Sequence, residues 1–296
     1  MSVSMKGKVC LVTGTSAGIG KATAIGLAEM DATVLAVMRD SDKARNALNE
    51  IKSKSGKNDS SIVYLKADLS SQKSVRALAA EVNKRFDRLD VLLNNAGVTQ
   101  FRRTLSSDGI ETTFAVNVLA PFLLTNLLVD KLKSSAPSRI VNVSSAASDG
   151  ARIDFSNLQG EKKYRGFGIY GQTKLALNLI SMEFSRRLAG TRVTVNFLHP
   201  GVIRTDLGSQ GLNPVLKALA KIVKVFFASP EKGARTSIYL ATSPDVEAMT
   251  GTYFGNSKEQ RANPISYDEA TAKRLWKICE DLTSQSSAPE QVSASS

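Results

Sequence analysis

The chain has 296 residues, 42% hydrophobic and 22% charged, with a net charge of +12. That composition is globular rather than disordered or fibrous, and the length suits one large α/β domain or two smaller ones. The two isolated cysteines, Cys10 and Cys279, make no disulfide framework or zinc site, and a single histidine, His199, leaves no histidine-based metal site to expect.

A positive excess attracts phosphates, acidic membrane surfaces or nucleic acid in general. Here the basic residues are scattered in small groups such as Arg102–Arg103, Lys162–Lys163 and Arg186–Arg187. Without a zinc finger, a basic zipper or an aromatic-rich RNA signature, nucleic acid is not an expected partner. The first residues lack a signal-peptide pattern, and no stretch reads as the ~18 apolar residues of a membrane span. The expectation is a cytoplasmic protein, with peripheral membrane contact left open.

Short apolar runs alternate with helical periodicity along the chain. VCLVTG (9–14) reads as a strand ending in a glycine turn, and 18–30 as a helix with apolar residues on one face. TVLAVM (33–38) is a second strand, followed by a charged helix over 42–55 that stops near Gly56. SIVYLKADL (61–69), a helix over 71–86, and LDVLLNNAG (89–97) come next. A long helix around 108–133 leads to RIVNVSS (139–145), and a helix over 168–189 leads to RVTVNFLHPG (192–201). Residues 231–242, GTYFG (251–255) and a last helix around 267–282 complete the pattern. Such alternation implies a doubly wound parallel sheet of Rossmann type, flanked by helices on both faces. One domain is expected over 1–283, with a disordered serine-rich tail over 284–296. Ligands of such sheets bind at the carboxyl ends of the strands, and the candidate functional residues follow the strand runs one after another.

TGTSAGIG (13–20) joins the first strand to the first helix. Gly14 permits a tight turn, Gly18 lets backbone approach a pyrophosphate, and Gly20 lets the helix lie close to the sheet. The helix N-terminus then presents unpaired N–H groups to phosphate. In YGQTK (170–174), Lys174 follows Tyr170 by one helical turn. A tyrosine hydroxyl can exchange a proton with an alcohol or alkoxide once its pKa, ~10 when unperturbed, is lowered toward neutrality. A nearby ammonium favours the phenolate.

The spacing of the glycines resembles the TGxxxGxG pattern of the short-chain dehydrogenase/reductase family. The resemblance extends through ADL (67–69), NNAG (94–97), Asn117 in AVNVLAPF, VNVSS (141–145), YGQTK and HPGVIRT (199–205). It implies a catalytic group of Tyr170, Lys174, Ser145 and Asn117. Tyr170 would act as general acid or base, Lys174 would tune it and hold the nicotinamide ribose, and Ser145 would bind the substrate oxygen. Adjacent strand residues face opposite sides, so only one of Ser144 and Ser145 is expected in the site. The family pattern selects Ser145. Asn117 would organise a water near Lys174, or tie helix to sheet as a buried amide, or both.

The resemblance also implies cofactor contacts from Gly14, Ser16, Gly18, Ile19, Gly20, Asp68, Leu69, Asn95, Ala96, Gly97, Tyr170 and Lys174. Pro200, Gly201, Val202 and Thr205 would hold the nicotinamide carboxamide. His199 reads as structural, because Tyr170 and Lys174 already supply proton chemistry. After the second strand, Val37 stands where NAD-preferring relatives often carry Asp, and Arg39 could fork onto a 2′-phosphate, although Asp40 could pair with it instead. NADP(H) is therefore favoured over NAD(H).

The 24 residues between Ser145 and Tyr170 are more than most of the family has, and resemble the retinol-dehydrogenase-like branch. The implied reaction interconverts a hydrophobic carbonyl and its alcohol. The alternative is a catalytically weak nucleotide-binding scaffold on the same fold. Residues 212–227 are apolar with lysines at helical spacing, and three readings stand: a core or subunit helix, a lid, or a lipid contact. The family is usually dimeric or tetrameric, so a homodimer or homotetramer is a further expectation.

Overall fold

In the computed structural model, residues 3–201 and 229–284 are described. Val202, Thr205, the 212–227 stretch and residues 285–296 of the expected tail lie outside them.

Eight strands form one sheet in the order β3-β2-β1-β4-β5-β6-β7-β8. The strands are β1 (Val9–Thr13), β2 (Thr33–Met38), β3 (Ile62–Lys66), β4 (Val91–Asn94), β5 (Ser138–Val143), β6 (Val193–His199), β7 (Tyr253–Gly255) and β8 (Lys258–Gln260). β1 to β7 pair in parallel, and β8 is antiparallel to β7. The runs Val9–Thr13 and Thr33–Met38 are buried on both faces after their first residue, which is why they read as continuous apolar stretches. The chain leaves β1 toward β2 on one side and places β4 on its other side. The resulting crevice lies beyond the ends of β1 and β4, where Gly14 and Asn95–Gly97 follow.

The helices are α1 (Gly18–Glu29), α2 (Asp42–Ser55), α3 (Gln72–Arg85), α4 (Thr112–Ser134), α5 (Gly166–Arg187), α6 (Pro230–Thr242) and α7 (Glu269–Ser284). Local chemistry sets their ends. Ser41 accepts from the Ala44 N–H to cap α2, and Gly56 at φ 67° ends it in the left-handed conformation. The helix expected from 108 begins only at Thr112. Gly109 turns the chain at φ 72°, and the Glu111 carboxylate caps the helix by accepting from Thr113 N (2.9 Å) and Phe114 N (2.8 Å).

α4 corrects one expectation. By length and composition it is apolar enough to cross a membrane, although the sequence did not read so. Its most apolar window is 78% buried inside the fold, which makes it a core helix. Ala115–Leu119 within it form a π turn, and Asn117 in that turn is fully buried.

α5 is enclosed on every side: all residues from 171 to 181 are buried. The sheet, α4 and α7 surround it. Trp276 of α7 packs edge-on against Phe122 of α4 (4.8 Å between ring centres) and Phe184 of α5 (4.6 Å). The Arg187 guanidinium lies 4.0 Å over the Trp276 ring. β8 was not foreseen. It is three exposed residues, Lys-Glu-Gln, joined to β7 by Asn256 and Ser257 at φ 52° and 58°. A short charged edge strand on a tight hairpin protects the sheet from further pairing.

Candidate active site

Thr13, the last residue of β1, organises the crevice. Its Oγ1 accepts from Asn95 N and Ala96 N, both at 3.0 Å, and its carbonyl accepts from Asn95 Nδ2 at 2.8 Å. The NNAG loop is thereby strapped against the glycine turn. At Gly20 a Cβ would sit 2.4 Å from both Asn95 Nδ2 and the Gly14 carbonyl oxygen, so no larger residue fits. Gly14 turns at φ 76° with Ala96 Cα directly behind it. Thr13 was missed from sequence. Its signal is its place as the final strand residue before the first glycine.

α1 starts at Gly18 with no side-chain cap, since Ala17 offers none. Its first N–H groups receive no side-chain cap and suit an anion. Ser16 and Gly18 are partly buried on this turn, and Ile19 is buried beneath it. Leu69 lines the same crevice with Thr13, Ala96 and Val116. Asp68 is exposed, its Oδ1 accepting from Ser70 N and Oγ.

Arg39 is exposed just beyond β2. The pairing with Asp40 left open by the sequence is not formed: the Asp40 carboxylate meets Lys66 Nζ at 3.2 Å and Arg45 at 3.7 Å. Among the described residues Arg39 has no carboxylate partner.

Beyond β4 and β5 the candidate catalytic residues converge. Tyr170 is partly buried on α5, with the Ser145 side chain beside its hydroxyl. Gly171 allows this approach, since a Cβ there would fall 2.8 Å from the Ala147 carbonyl oxygen. Of the serine pair, Ser144 is buried and donates to the Lys174 carbonyl at 3.2 Å. Ser145 faces Tyr170 and also accepts from Ala147 N at 3.2 Å.

Lys174 is 3% exposed. Its ammonium donates to the Val143 carbonyl at 2.8 Å and lies 5.8 Å from the centre of the Tyr170 ring. Gly97 lies against this amine, so the NNAG loop also reaches it. Burial pushes the Lys174 amine down to about 8. Burial pushes the Tyr170 phenol up, and the Ser145 hydrogen bond opposes that rise. The acidification of Tyr170 expected from sequence is therefore not a property of the chain alone. The ammonium is held by a main-chain carbonyl rather than by the phenol.

Asn117 is a fully buried amide that joins loop to helix. Its Oδ1 accepts from Val98 N (2.8 Å), and its Nδ2 donates to the Val98 carbonyl (3.0 Å) and Thr173 Oγ1 (3.1 Å). The amide ties the loop after β4 to α5, one residue before Lys174. At His199, Gly201 N donates to Nδ1 at 3.2 Å and Nε2 meets Gln260 Oε1 at 2.8 Å. That fixes the His199–Pro200–Gly201 exit from β6.

The long stretch before Tyr170 is anchored as well. Tyr164 donates to Glu111 Oε1 (3.0 Å) and the Gln100 carbonyl (3.2 Å), and Gln159 Oε1 accepts from Glu111 N (3.0 Å). Glu111, fully buried, thus both caps α4 and pins the segment leading to α5. Burial raises the Tyr164 phenol to about 12. In Glu111→Gln an amide N–H₂ would face N–H donors at one oxygen position. The expected result is a loss of about 2 kcal/mol of stability, read as a lower urea midpoint at unchanged slope. An unchanged midpoint would show that the cap carries no weight.

The family described as short chain dehydrogenase matches residues 8–212. Retinol dehydrogenase 14 of Mus musculus is 45% identical over 286 residues, covering 93% of this chain and 86% of that protein. Retinol dehydrogenase 13 of Homo sapiens is 42% identical, covering 92% and 83%. Among solved structures, an uncharacterised protein from Mycobacterium paratuberculosis superposes with TM-score 0.75 at 28% identity, covering 95% of each chain. The Pseudomonas aeruginosa RhlG/NADP active-site complex superposes with TM-score 0.66 at 27% identity, covering 85% and 95%. With its strapped glycine turn and the Tyr170, Lys174 and Ser145 cluster beyond β5, the chain belongs to the short-chain dehydrogenase family of oxidoreductases and is retinol-dehydrogenase-like within it.

Proposed function

We propose that the chain is an NADP(H)-dependent oxidoreductase that interconverts a hydrophobic aldehyde, ketone or retinal-like carbonyl and its alcohol. The observation that carries the reading is the buried Lys174 ammonium 5.8 Å from the Tyr170 ring, with the Ser145 side chain beside the Tyr170 hydroxyl. The residues fit the cofactor. The uncapped start of α1 suits a pyrophosphate, and Arg39, exposed beyond β2, suits a 2′-phosphate. Bound NADPH supplies a hydride to the carbonyl carbon.

In the reductive direction Ser145 Oγ and the Tyr170 hydroxyl both donate to the carbonyl oxygen, where negative charge develops. Tyr170 then transfers its proton to that oxygen. Oxidation of the alcohol reverses the transfer, with the phenolate as base. Lys174, largely protonated at neutral pH with its amine at about 8, stabilises the negative charge left on the phenol. Asn117 positions Lys174 by fixing Thr173 beside it. The backbone of Pro200, Gly201 and Val202, with the Thr205 hydroxyl, holds the carboxamide in this reading. The apolar substrate class rests on the likeness to proteins called retinol dehydrogenases.

NADPH consumption across aldehydes, ketones, retinal and quinones, with NADH alongside, tests the activity. Arg39→Ala is expected to raise KM for NADPH roughly 10- to 100-fold, the worth of a charged hydrogen-bonded contact, and to leave KM for NADH nearly unchanged. Equal losses with both cofactors would remove the argument for NADP(H).

A further inference from the structure

Four large hydrophobic side chains are exposed among the described residues, and two of them are Phe167 (71%), in the first turn of α5, and Leu105 (53%), in the segment after β4. Phe167 lies one helical turn ahead of Tyr170 on α5. Its ring meets Phe101 edge-on, 5.3 Å between centres. The segments after β4 and before α5 are stitched together: Arg103 Nε donates to the Gln159 carbonyl at 3.1 Å, and Tyr164 donates to the Gln100 carbonyl. Around the aromatic pair, residues 100–105 and 159–167 carry Arg102, Arg103, Lys162, Lys163 and Arg165, all exposed, against a single carboxylate, Glu161. The lysines stand on ordered backbone, because Asn157 Oδ1 accepts from Lys162 N and Lys163 N, and its Nδ2 donates to the Lys163 carbonyl.

We propose that this face docks on an anionic lipid surface, with Phe167 as the inserting side chain and the surrounding arginines and lysines on the headgroups. An exposed aromatic ringed by cations is the chemistry of the membrane interface, where the ring enters the headgroup boundary and each cation adds electrostatic attraction. A nucleic-acid surface would align several stacking rings along a basic track, whereas this face has one outward ring. The aromatic pair borders the turn of α5 that carries Tyr170. Docking there would let an apolar substrate pass from bilayer to site without crossing water. The proposal uses no residue of 212–227 and does not depend on the redox reading.

Co-sedimentation with phosphatidylcholine vesicles, with and without phosphatidylserine, tests the proposal. Turnover plays no part in the readout. The chain is expected to sediment with the phosphatidylserine vesicles and not with phosphatidylcholine alone. Arg102→Glu/Lys162→Glu/Lys163→Glu is expected to weaken this binding on the order of 100-fold or more, given the usual contribution of each cation. Phe167→Ser is expected to weaken it about 10-fold or more through lost apolar burial. Thermal midpoint and NADPH affinity report whether each variant is folded, and Lys162→Glu/Lys163→Glu serves as a milder second variant. No sedimentation of the parent protein with either vesicle overturns the proposal. So does undiminished binding by the charge-reversed variants, which would place the contact elsewhere, as on 212–227. Loss on charge reversal with no effect of Phe167→Ser would also overturn it, because a purely electrostatic surface suits nucleic acid or an acidic protein instead.

Discussion

Tyr170→Phe is expected to lower turnover by on the order of 10²- to 10⁴-fold, the usual worth of a positioned general acid, while NADPH affinity stays as in the parent. The substitution removes one oxygen and keeps the ring, so the packing of α5 against the 145–147 loop is preserved. What is lost is the hydroxyl that meets Ser145. NADPH consumption in steady state measures the first quantity, and a fluorescence titration of NADPH measures the second. Loss of cofactor binding together with turnover would mean a structural role for the phenol. Undiminished turnover would remove Tyr170 from the chemistry.

Lys174→Met is expected to abolish most turnover and to change how stability depends on pH. The amine sits at about 8 in the fold against 10.5 for a lysine free in water. That depression corresponds to about 3 kcal/mol of penalty for the charged form. In the window between these values the unfolded chain holds more protons than the folded one, so stability rises with pH. Below about 8 both states are protonated and the full penalty is present. Above 10.5 it is gone. The methionine variant has no such group. Its stability relative to the parent is therefore expected to fall by about 3 kcal/mol from neutral pH to beyond the upper end of this window. Urea melts of both proteins at the two ends of the window check this. A difference independent of pH would show that the amine is not buried as a cation.

Much of the fold was legible because its signals are local. Thr33–Met38 and Asp42–Ser55 occupy the positions read from an apolar run, a charged helical stretch and the glycine stop. The parallel sheet followed from strands apolar on both faces. β8 was invisible because its three residues are all exposed and polar, so no periodicity marks them. The start of α4 was misplaced by four residues, from 108 to Thr112, because the cap is a glutamate that the fold buries, and burial of Glu111 depends on Tyr164 and Gln159 some fifty residues away.

At the site, spacing paired Tyr170 with Lys174, and the family resemblance added Ser145 to them. Two further features had no side-chain signal. The Lys174 ammonium is held by a main-chain carbonyl, that of Val143, which no residue type could announce. The upward push on the Tyr170 phenol depends on how deeply the ring lies in the packed structure, and sequence spacing does not set that depth. The apolarity of α4 was likewise underread, because its polar positions, Asn117 and Thr125 among them, are buried too.

Trp276 closes the far side of α5, and this orders events during synthesis. The helix bearing the tyrosine and lysine emerges from the ribosome some ninety residues before the segment that covers it. Until Glu269–Ser284 is made, Phe122 and Phe184 lack the ring that shields them, and a nascent chain halted short of that point carries a sticky aromatic seam. Rigidity at the proton-handling residues is thus acquired late, when the carboxyl-terminal helix docks.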